Sequence, residues 1–335
     1  MSEILKKSRE ICKMLEIKPA RSKGQNFLIN EKIYDEIIKV SEVGEEDIVL
    51  EVGPGLGFLT AKLAEKVKKV LAVELDDKLA SYLRMAIDSQ DVENVEIINE
   101  DILTFNLAKF FQENGFNAKQ NYKIVANLPY NISSIFLRTF LSSSLKPESI
   151  TLMLQKEVAE RIVAVEPDNN LLALSIAFYG EAKIIREVKA GNFWPEPKVD
   201  SAVIKIDLNK GSSWEEFLVD NKMLDLKGYV GENLGLNKEK LNKGRKEESN
   251  KKEDALQNKT ELLLNFEKLF FRMLKISFSA KRKMIKNNLA GGLKIQANEV
   301  EKNLVLAGID LKARAEDLSL LKFKELFATI YKFML

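Results

Sequence analysis

Between about residue 47 and residue 208 the chain alternates apolar runs of strand length with amphipathic stretches of helix length. The runs Ile48–Val52, Val70–Glu74, Val95–Ile98, Lys123–Ala126, Ile150–Leu154, Ala182–Val188 and Ala202–Leu208 are the predicted strands. Strand and helix in strict turn predict a parallel sheet covered by helices on both faces. The last two runs sit close together without a long helix between them, so the sheet is expected to end in an antiparallel pair. The result is an open α/β sheet of seven strands, with ligands expected at the carboxyl ends of its strands. After Leu208 the pattern changes. Lys238 to Lys259 holds 13 charged residues in 22 and only Leu241, Ala255 and Leu256 as apolar positions, too few to bury a core. From Thr260 onward helical spacing returns: Leu262, Leu263, Phe266, Leu269, Phe270 and Met273 form one stripe, and Leu304, Ile309, Leu318, Leu321 and Phe327 predict further short helices. The expected organisation is a domain over 1–210 and a small helical domain over 211–335, interrupted at about 233–259 by a mobile charged insertion.

Composition narrows the chemistry more than the fold. The chain of 335 residues has no histidine and one cysteine, Cys12. That removes the commonest general base, any Ser-His-Asp triad, any intramolecular disulfide and any histidine-ligated metal, and no metal is expected. No apolar run approaches the roughly 20 residues of a membrane span, and the charged N-terminus is unlike a secretion signal, so the expected location is the cytoplasm. The net charge of +2 hides an uneven distribution, because Lys268 to Asn298 carries eight basic residues and no Asp or Glu. A single-sign block of this length points to a polyanionic partner.

Three motifs carry candidate chemistry. In "IVLEVGPGLGFLT", Gly53, Gly55 and Gly57 lie between a predicted strand and a helix, where glycine admits positive φ and close approach of a ligand to the main chain. Glu74, in "VLAVELD", follows Gly53 by 21 positions, where a carboxylate can accept both hydroxyls of a ribose. Asp101, in "IINEDIL", follows the third predicted strand and can accept from an adenine amino group. Together they outline an adenosine pocket, but this spacing alone does not separate a dinucleotide from S-adenosylmethionine. The stretch "NLPY", Asn127 to Tyr130, discriminates. It follows the fourth strand, beside the first, where the strand order reverses. Methyl transfer to an adenine amine needs acceptors that hold both amine hydrogens, because the lone pair is delocalised into the ring. The side-chain oxygen of Asn127 and the carbonyl of Leu128 serve that purpose, with Pro129 fixing the carbonyl and Tyr130 stacking on the base. No histidine is needed, since an amine becomes acidic as it is alkylated and its proton can leave to water.

"KGQNFLIN", "EVGPGLG", "VELD", "ED", "NLPYNISS", "LMLQKEVAERI" and "FWPEPKVDSAV" occur in this order, with "FSAKRKMIKNNL" further on. As a set they resemble the ribosomal RNA adenine dimethyltransferase family, most closely its small-subunit branch. The resemblance implies a Rossmann-like S-adenosylmethionine-dependent methyltransferase domain followed by a small helical RNA-binding domain. It implies a cofactor lid at Asn26 and Leu28, backbone contacts at Gly53 beside Gly55, ribose binding by Glu74, adenine binding by Asp101, and Asn127 bridging cofactor and target amine. It also implies Phe193 as the partner of Tyr130 around a flipped-out adenine, which must leave its stack to reach the methyl donor. The basic residues Lys18, Arg21 and Lys23, and the cluster Lys281, Arg282, Lys283 and Lys286, fit phosphate contacts, which give affinity and not base identity. The implied substrate is a pair of adjacent adenosines in the 3′-terminal hairpin loop of 16S rRNA, in an immature small subunit, dimethylated by a monomer. The charged insertion departs from the family pattern. The large-subunit branch that confers macrolide resistance, a non-catalytic rRNA-binding assembly factor and a nicotinamide dehydrogenase are the competing readings.

Overall fold

The computed structural model describes residues 2–19, 25–116, 121–143, 145–208, 213–221, 223 and 248–335, with backbone only at 213 and over 248–260. Two compact units divide the chain: residues 1–163 with 176–210, and residues 164–175 with 211–335. Ala164–Ser175 falls in the same unit as the C-terminal helices. Asn169 shows why: its N–H donates to the Glu316 carbonyl at 3.1 Å and its side-chain amide to the Leu318 carbonyl at 2.9 Å.

The first unit begins with helix α1 (Glu3–Met14), the two-residue strand β1 (Phe27–Leu28) and α2 (Glu31–Ser41). There follow β2 (Ile48–Val52), α3 (Phe58–Ala64), β3 (Lys69–Val73), α4 (Asp77–Asp88), β4 (Val95–Ile98), α5 (Leu107–Glu113) and β5 (Tyr122–Asn127). Then come α6 (Ser133–Leu141), β6 (Ser149–Gln155), α7 (Lys156–Ile162), α8 (Leu171–Tyr179, which crosses the division), β7 (Gly180–Val188), β8 (Phe193–Trp194) and β9 (Ser201–Leu208). The main sheet has seven strands in the order β4-β3-β2-β5-β6-β9-β7, parallel through β6 and antiparallel at β6–β9 and β9–β7. All seven predicted strands are in it, including the terminal antiparallel pair. The fully buried run Ile48–Val52 pairs with Lys69–Val73 on one side and with β5 on the other. The strand order reverses between β2 and β5, which puts Gly53 and Asn127 at neighbouring carboxyl ends.

Ile33, Tyr34 and Ile37 of α2 and Leu59 and Leu63 of α3 pack with Val49, Val70, Val125, Met153 and Val203 of the sheet in one core. Caps fix the helix starts. Asn30 accepts from Lys32 N, and Asp76 accepts from Lys78 N and Leu79 N, so each side chain satisfies donors that the first helical turn leaves free. Asn94 closes the far end of α3 by donating to the carbonyls of Ala64 and Val67, both at 2.8 Å.

The second unit contains α9 (Ser213–Asp220), α10 (Glu248–Ser277), α11 (Ile285–Leu293), α12 (Ala297–Leu306) and α13 (Leu320–Ile330). The expected stripe faces its core, where Phe266, Phe270, Met273, Phe327 and Trp214 are buried. Of the expected insertion, residues 233–247 lie outside the described residues, and from Glu248 the backbone is already helical, continuous with the stripe. No helix among the described residues is long and apolar enough to cross a membrane.

Gly180 sets the approach of the two terminal strands. A Cβ there would stand 2.2 Å from the Asp207 carbonyl oxygen, which is backbone and cannot retreat without opening the β7–β9 ladder. Gly180→Ala is expected to lower unfolding free energy by about 1–3 kcal/mol, the range for overpacking, measured by urea denaturation.

Candidate active site

A cavity of about 580 Å³ opens at the carboxyl ends of β2, β3 and β5, within the usual range for a ligand site. It is lined by Asn26, Leu28, Gly53, Gly55, Glu74, Asp101, Asn127 and Pro129, so the predicted cofactor residues, drawn from five separated segments, share one wall.

Glu74 organises the cavity. It is 7% exposed, and both carboxylate oxygens are held by main chain: Oε2 accepts from Gly55 N at 3.0 Å and Oε1 from Asp76 N at 2.9 Å. Burial raises its pKa above the ordinary carboxylate value, and these backbone donors oppose the rise. A carboxylate offers about four acceptor directions, so two remain for a diol. Gly55 has φ +59° and its absent Cβ would meet the Phe27 ring at 3.2 Å, so the loop needs glycine there for conformation and for space. Gly53 donates to the Val73 carbonyl at 2.9 Å, which ties the loop's entrance to the neighbouring strand.

Asp101 turns one oxygen back to Leu103 N at 2.9 Å, and the Asn99 amide donates to the Glu74 carbonyl at 3.0 Å, which joins the two acidic loops. Asn127 ends β5, with its amide nitrogen 3.5 Å from the Asn26 carbonyl. In that orientation its side-chain oxygen is the free acceptor. Leu128 is buried, and its N–H is taken by the Met153 carbonyl at 3.0 Å; Ile132 N closes the turn on the Pro129 carbonyl at 3.2 Å. Tyr130 is half-buried, and its hydroxyl lies 2.6 Å from Ser201 Oγ. Burial raises its pKa and Ser201 opposes this.

Phe193 is not brought to the cavity. It is 2% exposed, opposite Leu28 in the β1–β8 pair, and packs with Leu28, Val188 and Val203 in the core. Its neighbour Trp194 is only partly buried and stacks on Phe27. The three cations Lys281, Arg282 and Lys283 are exposed in the turn between α10 and α11, whereas Lys286 is half-buried and bound to Glu301 at 2.7 Å. Lys23 and Arg21 lie outside the described residues. Cys12 is buried, and burial pushes its thiol up to about 11, which makes it unreactive.

Sequence reasoning passed over Glu51. It sits in the wholly buried strand β2, is 1% exposed, lines the cavity, and its Oε2 meets no donor. The signal was a carboxylate inside the otherwise apolar run "IVLEV". Gln25, Leu75, Ile102 and Leu103 also line the cavity without a motif to announce them. Burial pushes Glu51 up from 4.5 to about 8, with the neighbouring Thr60 hydroxyl opposing and the charge of Glu74 adding to it. A raised carboxyl pKa means that the folded state holds the proton more tightly than the unfolded chain. The contribution to stability is then full below about pH 4.5 and is lost as pH climbs through about 8. The melting temperature of the unliganded protein is expected to fall between pH 5 and 8, and Glu51→Gln to reduce that fall and melt above the parent at about pH 8. Parallel melting curves for the two proteins across this window would exclude Glu51 as the group responsible.

The comparisons agree with this geometry. Residues 17–242 match the family model described as ribosomal RNA adenine dimethylase. Ribosomal RNA small subunit methyltransferase A of Dehalococcoides mccartyi is 34% identical over 323 residues, 96% of this chain and 92% of that protein. The protein of the same name from Clostridium acetobutylicum is 31% identical over 327 residues, 97% and 98% of the two chains. Among solved structures, a dimethyladenosine transferase from Plasmodium falciparum superposes with a TM-score of 0.64 at 22% identity, over 92% of this chain and 98% of that one. The 23S rRNA methyltransferase ErmE superposes at 0.59 and 23% identity, over 90% and 98%. These two show that the fold is shared. With the greater part of the sequence matched by one model, and relatives above 30% identity along nearly its whole length, the chain belongs to the ribosomal RNA adenine dimethylase family.

Proposed function

We propose that this protein is an S-adenosylmethionine-dependent methyltransferase that dimethylates the exocyclic amino groups of two adjacent adenosines in the 3′-terminal hairpin loop of 16S rRNA. The observation that carries the reading is the convergence of Glu74, Asp101 and Asn127 on one cavity wall, with the Asn127–Tyr130 turn at the carboxyl end of the adjoining strand. The relatives named above supply the substrate class: small-subunit ribosomal RNA. The substrate form we infer is an immature small subunit in the cytoplasm, met by a monomer.

The residues present fit the cofactor. Asn26 Oδ1 is a buried acceptor without a donor, and Glu74 keeps two acceptor directions for the ribose hydroxyls. Asp101 would take the adenine amine, and the loop of Gly53 and Gly55 would admit the chain close to the backbone. When bound, S-adenosylmethionine supplies an electrophilic methyl group. Asn127 and the Leu128 carbonyl would hold the two hydrogens of the target amine, and so favour the pyramidal nitrogen that attacks. Tyr130, braced by Ser201, presents a ring for the extruded base. The amine loses its proton to water after alkylation. Two rounds require the site to accept the monomethylated amine as well, which keeps one hydrogen for Asn127 or the Leu128 carbonyl. Phe193 can join Tyr130 only if β8 shifts its ring out of the core. We assign residues 1–210 to cofactor binding and catalysis, and 211–335 to RNA binding. Lys281, Arg282 and Lys283 would contact phosphates, with Lys23 as a further contact and Lys286 bracing the turn through Glu301.

The direct test is transfer of labelled methyl from S-adenosylmethionine to unmethylated small subunits and, separately, to large-subunit RNA, with modified bases identified by mass spectrometry. Dimethyladenosine near the 3′ end of the small-subunit RNA is expected. Label confined to large-subunit RNA would transfer the protein to the resistance branch, and no label would leave a binding factor. Asn127→Ala is expected to cut turnover by about 100-fold or more while calorimetry still detects cofactor binding; an active variant would remove Asn127 from the mechanism. Reversing Lys281, Arg282 and Lys283 to Glu should raise the KM for RNA and lower the slope of log KM against log salt by about one per lost phosphate contact. An unchanged slope would place the RNA elsewhere.

A further inference from the structure

The lid segment Gln25–Leu28 is held from outside the cavity by a stack of side chains that the methyl-transfer chemistry does not use. Phe27 lines the cavity and faces Gly55. On Phe27 lies Trp194, with ring centroids 6.4 Å apart and planes 28° from parallel. Over Trp194 lies the Arg9 guanidinium of α1, 5.8 Å from the ring centroid. The two rings are also backbone neighbours, since β1 and β8 form a separate antiparallel pair in which Phe27 faces Trp194 and Leu28 faces Phe193. Further bonds extend that ribbon: Ile29 N donates to the Asn192 carbonyl at 2.8 Å, and the Asn30 amide donates to Asn192 Oδ1 at 2.8 Å. Cys12, Phe27, Leu56 and Leu79 form a small buried cluster, with Ile11, Leu15, Ile17 and Trp194 against it.

We propose that Trp194 is a positioning residue for the cofactor: by stacking on Phe27 it holds the lid against the glycine loop, with Asn26 facing the cavity. The inference rests on the reading of the cavity as the S-adenosylmethionine site. Trp194 is absent from the residues that line the cavity, so its effect passes through Phe27. Leu28 is anchored by the core and by the Tyr34 hydroxyl on its carbonyl, but two residues of ladder are too few to fix a strand by backbone pairing alone, so on the Phe27 side of the segment the restraint comes from the aromatic stack. Asn26 is the group that responds. Its Oδ1 is buried and unpartnered, so a ligand donor gains from meeting it only while the lid keeps it away from water. Asn127 meets this segment through the Asn26 carbonyl, 3.5 Å from its amide nitrogen, and Tyr130 stands outside the ribbon, so loosening the lid acts on cofactor binding, and saturating cofactor, by holding the lid closed, restores the methyl-transfer step.

The test compares the full-length protein with Trp194→Ala, Trp194→Leu and Trp194→Phe, using titration calorimetry with S-adenosylhomocysteine and steady-state methylation of unmethylated small subunits. Loss of one aromatic stack is expected to raise the Kd and the cofactor KM by about three- to tenfold in the Ala and Leu variants. At saturating cofactor, kcat should stay within about twofold, and Phe should restore binding to about the parental value. Trp194→Leu retains apolar bulk without an aromatic face and serves where Trp194→Ala is poorly folded. Leu binding as tightly as Phe, or kcat falling with an unchanged cofactor KM, would overturn the role of Trp194 alone. Failure of the parent to bind S-adenosylhomocysteine would overturn the reading of the cavity, and the inference with it.

Discussion

The Glu74 carboxylate is the constraint on which the cavity depends. A buried carboxylate is costly unless its oxygens are satisfied, and here the satisfaction comes from the main chain of two different loops, at Gly55 and Asp76. One side chain thus closes the glycine loop after β2, fixes the entry into α4 and lines the cavity. Asp76 continues the chain of dependence, because it caps α4 with one oxygen and lies 3.5 Å from Gln25 Nε2 with the other. The Asn99 amide on the Glu74 carbonyl then sets the loop that bears Asp101. The acidic groups are positioned by hydrogen bonds to each other's backbones more than by contacts between their side chains.

Two buried carboxyl groups line one cavity, and burial raises the pKa of both. Glu74 has backbone donors on both oxygens, which favour its charged form against burial. Glu51, with one oxygen unmet inside a fully buried strand, is pushed up to about 8 and is largely neutral at physiological pH. Glu51 is both the deeper of the two and the poorer in donors. A charge on either carboxyl raises the cost of charging the other, and the charge of Glu74 adds to the upward shift of Glu51.

In the second unit the exposed cations are carried by a turn that is itself fixed from within. The amide of Asn288, 5% exposed, donates to the Ser277 and Ala280 carbonyls at 2.6 and 3.1 Å, and Ile285 N donates to the Ala313 carbonyl at 2.9 Å. These bonds order the turn that carries Lys281, Arg282 and Lys283 from within its own unit. Lys286, in the same sequence cluster, is paired with Glu301, so neighbouring cations of the sequence have different surroundings.

Much of the first unit was legible in the sequence because its signals are local. A strand buried on both faces, such as Ile48–Val52, must be continuously apolar, and a turn that needs positive φ at Gly55 must hold glycine. Asn127, Glu74 and Asp101 could be placed together because strand ends in a parallel sheet all open on the same edge. Tertiary structure alone decided what depends on pairing between distant segments. The β1–β8 ribbon is two residues long, too short for any periodicity, and forms where Phe27–Leu28 and Phe193–Trp194 meet across the fold. For the same reason Phe193 could be read as a base-facing aromatic while the packed chain sends its ring into the core and leaves Trp194 over the lid. Residues 164–175 join the C-terminal helices through Asn169, whose partners lie nearly half the chain away. Sequence determines which residues can take a conformation and which faces must be buried; which aromatic of an adjacent pair turns inward is settled by the packing of segments that the chain brings together only when folded.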